Sequence, residues 1–236
     1  MEVLENRALT DATVRRVGAI AGLVGPALLV AYFATPAFVG WPFAGAGADV
    51  LVAYANSHSL IFYLGGWLQV TGAAASVVFF LSLVARSGGR GSMGALIAIV
   101  GGAVLLAVVC IEAALLVAVP MAAAAGDRAT VAAAFALSNG AFARIFGIAP
   151  APLLLGGIGL VLLGSTVLPR FFAWSAIGLA LAFVLAAFAA VFGPVGLIVS
   201  IVLSVLQAVW TAAAAVAALV RASYSLPGQT LPAHGS

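Results

Sequence analysis

Six runs of about 20 predominantly apolar residues, punctuated by glycine, proline and arginine, constrain this chain more than any other feature. They cover residues 17–38, 59–84, 93–119, 145–168, 171–192 and 195–220. An α-helix rising about 1.5 Å per residue crosses the ~30 Å hydrocarbon core of a bilayer in that length. Lipid offers no partner for backbone N–H and C=O groups, so each run must satisfy its own as a helix. Composition agrees. Of the 236 residues, 65% are hydrophobic and 6% charged, against about 25% charged in a soluble domain. The expected fold is all-α, a polytopic membrane protein with a bundle of six transmembrane helices. Residues 17–221 form the transmembrane domain. Residues 1–16 form a cytoplasmic N-terminal segment, and the polar stretch 222–236 a cytoplasmic disordered tail. The run 17–38 is too long for a signal-peptide core and no small-residue cleavage site follows, so it reads as an uncleaved first span.

All nine basic residues are arginines, and they sit at the ends of apolar runs. The net charge of +3 is therefore a topology signal rather than a sign of nucleic-acid binding. In a six-span chain, Arg7, Arg15, Arg16, Arg86, Arg90, Arg170 and Arg221 fall on one side, and Arg128 and Arg144 on the other. Both termini are expected in the cytoplasm of a multi-pass cell-membrane protein. The outer side carries the two longest connections, 40–59 and 121–147. Each holds a short interfacial helix: one over 49–56, and one capped by Asp127 and stopped at Asn139-Gly140. Pro26, Pro150 and Pro152 are candidate kinks in spans one and four. Gly18 and Gly22, and the glycines 156, 157, 159 and 164, read as close-packing positions within the bundle.

The stretches "ADVLVAYANSHSLIFYLGGWLQVTGAAASVVFFLSLVAR" (48–86) and "LGGIGLVLLGSTVLPRFFAWSAIGLALAF" (155–183) resemble bacterial six-helix integral membrane proteins of a domain-of-unknown-function family. The resemblance implies the fold and the membrane. It supplies no established activity and no catalytic residues.

Intramembrane ionisable residues are the first place to look for chemistry. Glu112, in span three, lies about 9 Å beyond the middle of that run at 1.5 Å per residue. No residue on its own helix face can pair with it. Arg144, entering span four from the outer side, is the candidate partner; a Glu112 held neutral by burial, or one contacting a ligand, are the alternatives. Gln69 and Gln207 lie midway along spans two and six, each with a nearby tryptophan, Trp67 and Trp210. They read either as interhelical hydrogen-bonding groups or as the wall of a shared cavity. His58 reads as a solvated interfacial side chain, and the single cysteine, Cys110, as a small buried hydrophobe. One cysteine and isolated histidines give no metal site, and no phosphate-binding, dinucleotide, zinc-protease or nucleophile-elbow motif is present, so no cofactor is expected.

These residues support binding or transport of a lipophilic or small molecule through an outer-side pocket, with Glu112 in its wall, Arg144 at its rim and Gln69, Gln207, Trp67 and Trp210 extending it. A small intramembrane enzyme using Glu112 as an acid, in the manner of an isoprenoid cyclase, and an accessory subunit packed on a larger partner are the alternatives. Expected partners are membrane lipids, a lipophilic small molecule, and a second copy or larger membrane protein.

Overall fold

The computed structural model describes residues 2–89, 91–189 and 195–224, with side chains for 13–89, 91–189 and 196–221. Arg90, the turn at 192–194, the stretch 225–236 and the side chain of Arg7 lie outside the described residues. The described residues fold as eight α-helices and one π-helical turn: α1 (Glu2–Val39), α2 (Ala48–Ser57), α3 (Ser59–Arg86), α4 (Met93–Ala124), α5 (Arg128–Gly140), the π-helical turn (Ala141–Phe146), α6 (Pro150–Leu163), α7 (Arg170–Ala189) and α8 (Val195–Tyr224). No strand occurs among the described residues. Among the described residues six helical stretches are long and apolar enough to cross a membrane. The fold is an all-α polytopic bundle. The last helix runs to Tyr224 rather than ending before the tail.

Consecutive spans are neighbours. α1 packs on α3, α3 on α4, α4 on α6, α6 on α7 and α7 on α8, and α8 returns to α1. The ring is closed, and α1 begins on the face where α8 ends. Large apolar side chains cover its outside: Ile99 and Ile111 on α4, Trp174 and Leu185 on α7, and Val202 and Val209 on α8 are all exposed. A water-soluble protein does not show apolar surface on every flank; this surface belongs in lipid. Cys110 belongs to it as well. The cysteine is exposed rather than buried, because its position on α4 turns away from the ring that Glu112 and Val109 face.

Small residues set how closely the helices approach, as membrane packing requires. A methyl group at Gly22 would come within 2.6 Å of the Phe79 ring and 2.7 Å of the Ala215 side chain. The span-one glycine pair thus packs inside the chain. Gly94 faces Leu160, Gly157 lies on the backbone of Ala98, and Gly101 lies on the backbone of Leu153 and Leu154. These pairs fix one antiparallel register between α4 and the segment 128–163.

That register corrects the expected course of residues 121–147. The segment is not a connection that precedes a span starting at 145. It is helical except for the turn at Ala125–Asp127, so α4 and the unit α5–π turn–α6 form one long helical hairpin. The turn closes as a Schellman motif: the Asp127 amide donates to the Ala122 carbonyl at 2.9 Å and the Gly126 amide to Ala123 at 3.0 Å. Gly126 takes φ +74°, where a side chain would be strained. Asp127 then caps α5, accepting from the Thr130 amide at 3.0 Å and the Thr130 hydroxyl at 2.5 Å. Asn139-Gly140 does not stop the helix. The chain passes there into the π-helical turn, and the break comes at Ala149, just before Pro150 at the first turn of α6. Pro150 and Pro152 therefore open α6 rather than kink its middle, whereas Pro26 and Pro36 lie within α1.

Two apolar cores follow. The larger joins α3, α4, α6, α7 and α8 around Phe80, Leu154, Ile158, Phe183 and Trp210. The smaller joins α2, the start of α3, the end of α4 and α5 around Leu51, Phe62, Val119 and Phe135. It lies on the face opposite the termini. Arg128 pairs with Asp49 across it. Both side chains are largely exposed, so the pair orients more than it stabilises.

Candidate functional site

Glu112 projects from the middle of α4 into the ring and is only 3% exposed. Its two oxygens have separate donors. The Tyr32 hydroxyl of α1 donates to Oε1 at 3.3 Å, and the Gln69 amide of α3 donates to Oε2. Three helices thus meet on one carboxyl group. Both donors are neutral. Arg144 is exposed, and among the described residues no ion pair joins it to Glu112. The expected Glu112–Arg144 pair is absent because the hairpin register turns Arg144 to the outside of the bundle, while Phe142 and Phe146 of the same turn are buried.

Beside Glu112 opens a cavity of about 310 Å³. Tyr32 and Phe33 of α1, Trp41 and Phe43 of the first connection, Phe135 of α5 and Phe142 of the π turn give it six aromatic walls. Ser138 and Asn139 add polar groups, and Leu197, Ile198 and Ile201 of α8 close the side. Lining residues that are also exposed, Pro36, Phe43, Ala44 and Ile198, mark its mouth. They cluster near the end of α1 and the start of α8, on the face opposite the termini. Among the described residues Glu112 is the one acid in the wall, and no basic residue lines it.

The π turn shapes this wall. A π-helical turn inserts one residue into the helix and displaces the hydrogen-bond ladder, a distortion frequent at functional sites. Here the Asn139 side-chain amide donates to the Phe135 carbonyl at 2.8 Å, and the Ser200 hydroxyl of α8 reaches the Ala143 carbonyl at 3.4 Å. Trp41 roofs the cavity. Its ring lies 4.8 Å from Phe62 and 6.1 Å from Phe135, centroid to centroid. The Tyr54 hydroxyl anchors this roof by donating to the Val39 carbonyl at 2.9 Å, and burial pushes its pKa above the ordinary tyrosine value. On the hairpin tip, the Thr130 hydroxyl and amide hold the Asp127 carboxyl below the usual carboxylate range.

A second, smaller cavity of about 30 Å³ lies on the other side of Glu112, lined by Gln69, Gln207, Ser76 and Ser204 among phenylalanines. Gln69 and Gln207 therefore share a wall with Glu112. The carbonyl oxygen of each is buried with no hydrogen-bond partner among the described residues. The volume admits one water. The two tryptophans do not join them. Trp67 is 58% exposed on the outside of α3. Trp210 is buried between Phe80 and Phe172 and donates to the Ser175 hydroxyl at 2.8 Å, tying α8 to α7. His58 is half-buried, stacked on Tyr54 at 4.3 Å. Among the described residues no three His, Cys, Asp or Glu side chains converge as a metal group.

Sequence reasoning did not reach Tyr32, Trp41 or Phe142. Tyr32 carries a signal, a phenol inside an apolar span, because a buried hydroxyl needs a partner. Trp41 and Phe142 carry none, since aromatic residues are common throughout these helices. No protein-family model, no curated protein and no solved structure matches the chain.

Proposed function

We propose that this multi-pass membrane protein binds a lipophilic small molecule in the Glu112 cavity and exchanges it with the membrane through the mouth formed by Pro36, Phe43 and Ile198. The observation that carries this reading is the aromatic cavity of about 310 Å³ with a single buried carboxylate in its wall. Ligand sites are typically apolar clefts of this scale with a few placed polar groups.

Depth supports entry from the lipid. The face where the termini lie carries Arg15, Arg16, Arg86, Arg170 and Arg221, which the arginine bias places in the cytoplasm. From Met93 on that face, ~30 Å of hydrocarbon takes about 20 residues of helix. That brings α4 to the level of Glu112 and the returning limb of the helical hairpin to Arg144. Arg144 then sits at the opposite membrane surface, with its charge at the headgroups. The hairpin tip, α2 and the smaller core stand beyond it. The mouth opens at the boundary between hydrocarbon and headgroups, where an amphiphile partitions. Labelling of introduced cysteines tests the orientation: residue 45 is expected to react from outside and residue 88 from the cytoplasm.

The resemblance to six-helix bacterial membrane proteins agrees with this architecture and stands as a proposal of kinship. Transport, rather than binding alone, would use the small cavity beneath Glu112 as the start of a path inward. The deciding experiment is mass spectrometry of solvent extracts from purified protein, with Thr35→Trp as the occluding variant, because Thr35 lines the cavity and is half-buried. A molecule that copurifies with wild type and is lost from a folded Thr35→Trp protein supports the reading. Identical extracts from both refute it and leave the accessory-subunit reading.

A further inference from the structure

Resting on that reading, we propose that the ligand is a lipophilic cation, an organic molecule carrying a quaternary or protonated amine on an apolar body. Three features of the wall point to it. Glu112 is 3% exposed and, among the described residues, has two neutral donors but no cation. A buried carboxylate without a positive partner is expensive, and a ligand bringing the charge supplies the missing half. Six aromatic rings surround the same space. The faces of Tyr, Trp and Phe attract ammonium groups within about 6 Å, and a cage of them is the usual recognition device for quaternary amines. Among the described residues no arginine lines the cavity, and Arg144 faces outward, so an anionic or phosphate-bearing molecule would meet only a like charge.

The rings are placed for this. Tyr32 and Phe33 lie 5.1 Å apart and Phe33 and Phe142 5.4 Å, centroid to centroid, forming a continuous wall next to the carboxylate. Trp41 and Phe135 line the same cavity, their rings 6.1 Å apart. A cation held among these rings exchanges water for ring faces beside the carboxylate. The depth argued above suits an amphiphilic cation, whose charge rests at the headgroups while its apolar body lies in hydrocarbon.

The test compares benzyltrimethylammonium with its neutral carbon isostere, (2,2-dimethylpropyl)benzene, for binding to detergent-purified full-length protein. Tryptophan fluorescence or calorimetry reads the affinity. Wild type is expected to bind the cation about tenfold or more tighter than the isostere. Glu112→Gln is expected to bring the two within about threefold of each other. If that variant fails to fold, Phe33→Leu and Phe142→Leu decide: each keeps apolar bulk, so it is expected to weaken the cation severalfold while leaving the isostere nearly unchanged. Equal binding of cation and isostere to wild type would overturn the cation assignment while leaving the cavity as a lipophilic site. Binding of neither probe, with no effect of Thr35→Trp, would overturn the cavity reading itself.

Discussion

The hydrogen bond between Gln69 and Glu112 decides how α3 and α4 are held together, and its strength can be worked out from its surroundings. Both residues are 3% exposed, and the amide nitrogen of Gln69 has the carboxylate as its partner. Interhelical hydrogen bonds in membrane proteins average only about 0.6 kcal/mol, because the unfolded chain in lipid also finds partners. A bond to a charged acceptor is worth about 1.5–3 kcal/mol. The two ranges separate. Replacing Gln69 by Leu keeps the side-chain bulk and removes the donor. Replacing Glu112 by Leu removes the acceptor. A double-mutant cycle on ligand-free protein, followed by reversible unfolding in mixed micelles or bicelles at alkaline pH so that Glu112 carries its charge, isolates the pair. The expected coupling is about 1.5–3 kcal/mol, a change of roughly 10- to 150-fold in the unfolding constant. Any copurifying molecule is extracted first, since a bound cation would add to the loss from Glu112→Leu alone. A coupling at or below about 0.6 kcal/mol would refute the reasoning, because the carboxylate would then be no better an acceptor than an ordinary polar group.

Two further predictions follow from the packing and the hairpin tip. Gly157→Leu drives a side chain into the backbone of Ala98 and should destabilise by about 3 kcal/mol or more, the upper end for overpacking. Gly178→Ala, where nothing lies within 4 Å, should stabilise α7 by roughly 0.5–1 kcal/mol. Equal effects of the two would break the α4–α6 register. At the tip, the Asp127 carboxyl is held below its usual range by Thr130, so its capping contribution is present above the unfolded-state pKa and lost as pH falls through the folded one. The melting temperature of wild type should exceed that of Asp127→Ala at pH 7, and in acid, where the protonated carboxyl keeps only a neutral acceptor, that excess should shrink to the pH-independent excess of Asp127→Asn over Asp127→Ala. A gap that does not change with pH would remove Asp127 from the cap.

Much of the architecture was legible because membrane insertion leaves few alternatives. Apolar length gives the spans, and the Leu168-Pro169-Arg170 turn and the α2 helix fall where local chemistry puts them. The segment 121–147 was misjudged for a physical reason. A polar Asp127-Arg128 pair and an Asn-Gly step look like the ends of a surface helix. Whether such a helix breaks off or continues into the next span depends on what packs against it. Here the backbone contacts of Gly94, Gly101 and Gly157 hold the returning limb against α4, and α5 extends the same line to the tip. Nothing within 121–147 encodes those contacts.

The site was legible to the extent that cost exposes it. Glu112 and Gln69 stand out because a polar group among apolar ones demands a partner, and they do meet. The choice of Arg144 as that partner followed charge and chain order, and both are blind to helix phase. Helical spacing from α5 keeps Phe142 on the buried face of Val131, Phe135 and Ser138 and puts Arg144 on the opposite one. The same face sets the Phe142 ring beside Phe33 and next to the carboxylate. The phase of this one helical segment therefore does two things: it turns Arg144 away from Glu112 and it adds an aromatic ring to the wall beside that acid.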